Sequence, residues 1–145
     1  MLEKLNSQKK HALLGELFLL LLASDLHLKY QIGDIGNNFL PPIDLGQFRI
    51  YKKGEQPIGF VSWAYLDEET EDKYMNEQYD LQIDDWNKGD RLWFIDFICP
   101  FGHIDFVEKD LKESVFPDGN AKALRANSQG KVLKIQEYFG INHNK

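Results

Sequence analysis

The sequence has little of what small proteins use to brace themselves. One cysteine, Cys99, stands among 145 residues. That excludes an internal disulfide and a multi-cysteine zinc site, and it fits a reducing compartment. Eleven glycines and five prolines are too few for a collagen-like or low-complexity chain. Positive charge is short: 17 Lys/Arg face 23 Asp/Glu, for a net charge of −6. General binding to a phosphate backbone needs a basic surface, so nucleic acid is excluded as a general partner. Local catalytic signatures are missing as well. There is no G-x-S-x-G, H-E-x-x-H, P-loop or G-x-G-x-x-G.

What is present is the material for a core. The hydrophobic fraction is 43% and the aromatic fraction 13%. A chain of this length buries roughly 70% of its unfolded surface. We expect one domain over residues 1–145.

The acidity is local. Residues 1–66 carry seven basic and six acidic side chains, and residues 97–145 carry the same numbers. Residues 67–96 carry three against eleven, a net of −8. This stretch is either a solvated helix and loop or a docking surface that steers a basic partner.

The apolar run Ala12 to Ala23 follows Lys9, Lys10 and His11 in the manner of a secretory leader. Glu16 interrupts it, Leu21 sits where a small residue is wanted before a cut, and it falls short of the about 20 apolar residues that span a bilayer. No transmembrane segment is expected. The run reads as a helix over roughly Ser7 to Ala23, capped by the Ser7 hydroxyl. Leucines cover most of its circumference, which predicts a buried helix. Phe48 to Lys52 and Pro57 to Tyr65 read as a hairpin about Gly54. Tyr74, Met75, Tyr79 and Leu81 follow a loose amphipathic spacing. Arg91 to Cys99 is apolar around a single Asp96 and predicts a central strand buried on both faces. Asp105 to Phe116 reads as a helix, then Ala121–Ala126 and Lys131–Phe139 as strands. That order predicts an α/β or α+β sheet with helices packed on it.

Asp96 carries the most information. A carboxylate inside an apolar strand costs several kcal/mol unless it is paired or hydrogen-bonded. It is either structural, bound to backbone amides or to Arg91, or it is a catalytic or orienting group in a cleft. His27 follows the long helix and is either a capping side chain or a base. Ser24, His27 and Asp96 could form a triad. His103 could cap the following helix, and His103 with Asp105 makes too few ligands for a metal, so none is expected. Cys99 reads as a packed thiol rather than a nucleophile.

Four segments carry a specific resemblance: Leu22-Ala23-Ser24-Asp25-Leu26-His27, Phe60-Val61-Ser62-Trp63-Ala64, Asp85-Trp86-Asn87-Lys88-Gly89-Asp90-Arg91 and Trp93-Phe94-Ile95-Asp96-Phe97-Ile98-Cys99-Pro100-Phe101-Gly102. From about Gly15 to Gly140 the sequence resembles the RTX toxin-activating lysine acyltransferases. The resemblance implies a single-domain GNAT-like N-acyltransferase fold, a mixed sheet flanked by helices. It implies a cytoplasmic enzyme, a homodimer, that moves a fatty acyl group from acyl carrier protein to the ε-amine of internal lysines of an RTX protoxin. The donor would be a phosphopantetheine thioester, with no permanently bound cofactor. His27 matches the family's essential histidine, Asp96 its essential aspartate, and Ser24 a supporting serine. Tyr74, Gly89 and Arg91 fall in family-like segments as substrate-binding or supporting residues. Asp25 stands where the family has a familiar proline. The GNAT pyrophosphate signature Q/R-x-x-G-x-G/A is absent after Asp96, which agrees with a carrier-protein donor.

A lysine ammonium, with an unperturbed pKa of about 10.4, must lose a proton before it attacks a thioester. His27 is the expected base, with Asp96 orienting it or stabilising positive charge. Backbone N–H groups between Asp96 and Gly102, or the Ser24 hydroxyl, are candidate oxyanion donors. An acyl-enzyme on Ser24 or His27 is the rival chemistry. Two other functions compete: a GNAT-type enzyme using acyl-CoA on another amine, and a non-catalytic toxin-binding chaperone. Acyl carrier proteins are acidic, so the donor is expected away from the acidic stretch, near Lys52, Lys53 or Lys131.

Overall fold

The computed structural model describes residues 6–127 and 129–143. Its elements are α1 (Ser7–Leu22), α2 (Ile32–Leu45), β1 (Phe48–Lys53), β2 (Gln56–Leu66), α3 (Glu68–Asn76), β3 (Arg91–Ile98), α4 (Ile104–Asp110), β4 (Asn120–Ala126) and β5 (Val132–Phe139). The strands form one sheet in the order β1-β2-β3-β4-β5. β1, β2 and β3 are antiparallel in turn, β3 and β4 run parallel, and β4 and β5 are antiparallel. The fold is α+β with a mixed sheet. β3 is the central strand, as its apolar sequence predicts.

The parallel pair is short. β3 registers with β4 only at Trp93↔Lys122 and Phe94↔Ala123. Past those residues β3 continues toward Asp96 without a ladder to β4.

α1 begins one residue earlier in its capping than expected. The Asn6 side chain accepts from the Lys9 N–H at 2.8 Å, so Asn6 and not Ser7 is the cap. Leu13, Leu17, Leu20 and Leu21 are buried against Phe39, Ile43, Phe48, Phe60 and Ile98. Each of those leucines contributes roughly 1.5–3 kcal/mol of burial, and Leu17→Ala would cost about 2–5 kcal/mol. The expectation of a helix buried on most faces holds for one side only. Phe18, Leu19 and Leu22 are 54%, 56% and 51% exposed, because only one side of α1 meets the sheet.

α2 is absent from the sequence reading. Gly33, Gly36, Pro41 and Pro42 all argue against a helix there. Local chemistry overrides them. Gln31 and Asp34 form a reciprocal capping box, and Gly46 ends the helix in the left-handed conformation at φ 74°. Phe39, Pro41, Pro42 and Ile43 are buried, so packing supplies what propensity lacks.

α3 starts at Asp67, whose side chain accepts from the Thr70 N–H at 2.8 Å. It stops at Asn76, short of Tyr79 and Leu81. Gln78 takes a positive φ of 51° and turns the chain back, so these two residues pack on Trp86 and Trp93 from an extended segment. The helix after β3 is α4, prolonged by a π-helical turn over Leu111–Val115.

The sheet separates two sets of core residues. Phe60, Ala64 and Leu66 of β2 face α1, α2 and α3, whereas Val61 and Trp63 face α4 and Leu111. On β3, Trp93 and Ile95 share the first face, Phe94 and Phe97 the second, and Ile98 the first again. The alternation changes phase once, between Ile95 and Phe97. The register with β2 slips at the same place, where Ser62 alone opposes Ile95 and Asp96. This is a β-bulge, one extra residue on β3. It turns Asp96 toward the α1–α2 side of the sheet.

Candidate active site

The end of α1 leads into a tight turn. The Ser24 carbonyl accepts both the His27 N–H and the Leu28 N–H at 3.0 Å, which brings Ser24 and His27 to the same side. The imidazole is held at both nitrogens. Its Nδ1 lies 2.6 Å from Ser24 Oγ, and its Nε2 lies 2.9 Å from Asp96 Oδ1. His27 is 5% exposed and Asp96 8%. Ser24, His27 and Asp96 therefore come together from α1 and the β3 bulge. Asp96 meets His27, not Arg91.

The hydrogen bonds fix the chemistry of the ring. A carboxylate has only acceptor sites, so Nε2–H donates to Asp96, and the following assignment holds for the neutral ring. Nδ1 is then the basic nitrogen, and the Ser24 hydroxyl donates to it. Tyr30 stacks at a tilt on the imidazole with centroids 4.8 Å apart, and Phe39 lies 6.0 Å away. Burial first, then the negative field of Asp96, Asp34 and Asp80, pushes the Tyr30 hydroxyl up to about 12. Burial, followed by the fields of Asp96, Tyr30 and Asp80, also raises the Tyr74 hydroxyl. Tyr74 packs edge-on against Trp93 at 5.3 Å.

Ser62 and Tyr30 are members of this constellation that sequence reasoning did not single out. Ser62 is fully buried, and its Oγ accepts the Asp96 N–H at 3.2 Å. A serine between Val61 and Trp63 in an apolar strand was the available signal. The bond also corrects one expectation: the Asp96 N–H is committed to Ser62 and is not an oxyanion donor.

Gly89 and Arg91 do not reach His27. Arg91 lies five residues before Asp96 on β3, roughly 16 Å along an extended strand. Arg91 Nη1 bonds Glu71 Oε1 at 2.7 Å, and Trp93 Nε1 bonds Glu71 Oε2 at 2.8 Å. These bonds clamp α3 to the sheet. A Cβ on Gly89 would meet the Leu66 carbonyl oxygen at 2.3 Å, so glycine is required where this loop crosses the end of β2. Much of the acidic stretch is spent internally. Asp67 caps α3, Glu71 holds Arg91 and Trp93, Asp85 accepts from Tyr79 and the Gln82 N–H, and Asp96 holds His27.

His103 precedes α4 but makes no side-chain cap, and its Nδ1 is buried without a hydrogen-bond partner. Among the described residues no group of three or more His, Cys, Asp or Glu is placed to hold a metal. Burial pushes the Cys99 thiol up to about 11, the behaviour of a packed thiol rather than a nucleophile. Lys52, one of the lysines expected near a donor, is paired with Glu16 at 2.6 Å. No helix among the described residues is long and apolar enough to cross a membrane.

A buried histidine held by a carboxylate, with a serine on its basic nitrogen, is suited to taking a proton from a nucleophile. Relatives of the chain are named as protein-lysine acyltransferases. A family model described as the RTX toxin acyltransferase family matches residues 6–139. The RTX-I toxin-activating lysine-acyltransferase ApxIC of Actinobacillus pleuropneumoniae is 39% identical over 127 residues, which cover 88% of this chain and 73% of that protein. The protein-lysine myristoyltransferase RtxC of Kingella kingae is 36% identical over 133 residues, 92% of this chain and 79% of that protein. A protein-lysine myristoyltransferase HlyC of Escherichia coli is 35% identical over 136 residues, 94% and 79% of the two chains. Most of the chain is matched in each comparison, and the chain belongs to the RTX toxin acyltransferase family as an acyltransferase.

Proposed function

We propose that the protein transfers a fatty acyl group from acyl carrier protein to the ε-amine of internal lysines of an RTX protoxin. The observation that carries this reading is the buried Ser24–His27–Asp96 chain of hydrogen bonds. His27 is the general base. The lysine amine attacks the thioester carbonyl, a C–N bond forms, and the C–S bond to the carrier's phosphopantetheine breaks. Starting from the deprotonated amine, the proton lost by nitrogen passes to His27 Nδ1, directly or through the Ser24 hydroxyl, and the imidazolium returns it to the departing sulfur, which leaves as the thiol. Asp96 holds the ring by Nε2 and stabilises the imidazolium that forms.

The donor reading has support in the sheet. Where β3 leaves β4 beyond Phe94 and Ala123, the unladdered edge beside Asp96 offers backbone groups to an amide-rich pantetheine arm. Phe97, Ile98, Cys99, Phe101 and Gly102 supply the remaining candidate N–H groups for the oxyanion. The homodimer has a fitting surface in the exposed Phe18, Leu19 and Leu22 of α1. The cytoplasm is the compartment in which carrier, protoxin and free Cys99 would meet.

One contact favours a second route. Ser24 Oγ is 2.6 Å from the basic nitrogen, the placement of an activated nucleophile. An acyl-Ser24 intermediate would then pass its acyl group to lysine. Incubating the protein with acyl-carrier protein and no acceptor separates the routes. A competent acyl-enzyme supports covalent transfer, with the acylated residue, Ser24 or His27, identified by peptide mapping, and its absence supports direct transfer. Parallel assays with acyl carrier protein and acyl-CoA donors test the donor. Exclusive use of acyl-CoA would overturn the carrier reading, and protoxin binding without transfer from either donor would leave only a chaperone.

A further inference from the structure

A cleft of about 730 Å³ opens between α2 and the segment after α3; His27, Ser24 and Asp96 do not line it, and Tyr30 stands between it and the imidazole. Its volume is that of a ligand site, about 300–1,000 Å³. Tyr30 lines it and is the residue in contact with His27. Asp34, Asp44 and Asp80 lie on its walls, and no lysine or arginine lines it among the described residues. Asp44 is neutralised by Lys10 at 2.6 Å. Asp34 accepts the Gln31 N–H in the α2 capping box, and neither it nor Asp80 has a cationic partner among the described ion pairs.

The carboxylates of Asp34 and Asp80 share this space, with no lysine or arginine lining it among the described residues. Lysine and arginine head groups are donors only, and they complement such a wall. An acidic carrier protein would be repelled by it.

We propose that this cleft is the acceptor's docking site: it receives a basic stretch of the polypeptide next to the lysine that is acylated, with Tyr30 as the wall shared between cleft and imidazole. This rests on the acceptor being a protein lysine, as proposed above. It goes further in assigning a surface and a sequence preference to that acceptor. Asp34 and Asp80 select basic residues flanking the target.

The test is binding of a labelled peptide with one central lysine flanked by arginines, and of the same peptide flanked by glutamines, to the full chain. Wild type should prefer the arginine peptide, increasingly so at low salt. The exposed pair of changes Asp34→Asn and Asp80→Asn should weaken that peptide by about five- to tenfold and leave the glutamine peptide unchanged. The acceptor KM should rise while the donor KM stays fixed. Equal binding of both peptides by wild type, or an effect confined to the donor KM, would overturn the proposal. The binding readout needs no turnover, so failure of the docking site and failure of the acyl-transfer reading give different results. Circular dichroism of the double variant confirms that α2 keeps its cap.

Discussion

The backbone N–H of Asp96 donates to the Oγ of Ser62 across the β3 bulge, at 3.2 Å and out of contact with solvent. The bulge removes that N–H from the ladder with β2 and points the carboxylate at His27. Ser62 satisfies the group that the bulge would otherwise leave unpaired. The same irregularity therefore both creates the Asp96–His27 contact and requires a polar side chain on the facing strand.

Ser62→Ala should lower stability by about 1–3 kcal/mol through the buried N–H left without a partner. Urea unfolding measures this. Acyl transfer should fall through kcat, because Asp96 loses its fixed position while the outer surface is unchanged. Ser62→Thr, which keeps the hydroxyl, should recover part of the rate. An unchanged kcat in Ser62→Ala would show that the bulge holds its shape alone.

His27→Ala and Asp96→Asn should separate packing from chemistry. Removing the imidazole leaves a buried carboxylate unpaired, at a cost of about 3–5 kcal/mol, so His27→Ala is expected to unfold earlier on heating. Asp96→Asn keeps an oxygen for Nε2 and should fold with little loss. It removes the charge that stabilises the imidazolium, and the rate should drop by about 10²–10⁴. Steady-state rates on samples matched for thermal unfolding check this.

Glu71 gives a pH prediction. Burial raises its carboxyl, but the hydrogen bonds from Trp93 and Arg91 outweigh that and hold it below its ordinary 4.5. A carboxylate depressed in the folded state contributes stability above its unfolded value and loses it as pH falls through the folded one. Glu71→Gln should therefore be less stable than wild type near neutrality, by about 1–3 kcal/mol. The gap should close as pH drops below 4.5. Denaturant titrations of both proteins across that range measure it.

Much of the site was legible because it rests on residues that are chemically out of place. An Asp in an apolar strand and a His after a leucine-rich helix announce themselves. Ser62 was less visible, since serine in a strand is unremarkable until the register slip is seen. α2 was hidden because Gly33, Gly36, Pro41 and Pro42 oppose helix locally, and the burial of Phe39 and Ile43 that overrides them is tertiary. Arg91 and Gly89 had local motif context but no sequence signal for their distance from His27. Their partners, Glu71 and the Leu66 carbonyl, are set by how α3 folds back on the sheet. The outer face of α1 misled for a related reason: leucine content gives hydrophobicity, not the number of neighbours available to cover it.

Cys99 should resist alkylation. Its thiol is pushed up to about 11 by burial, so little thiolate exists near neutrality. Iodoacetamide should label it much more slowly than an unperturbed thiol, faster once the protein unfolds, and Cys99→Ala should keep the acyl-transfer rate. Rapid labelling of the native protein, with loss of activity, would place the thiol in the reaction instead.

The central claim is that the His27–Asp96 pair drives acyl transfer to protoxin lysines. Its most direct test is the intact mass of an RTX protoxin co-expressed with either the wild-type chain or Asp96→Asn. The account predicts a fatty-acyl mass increment, mapped to internal lysines, with wild type and its loss with the folded variant. An unmodified protoxin beside wild type, or full acylation by Asp96→Asn, would contradict it.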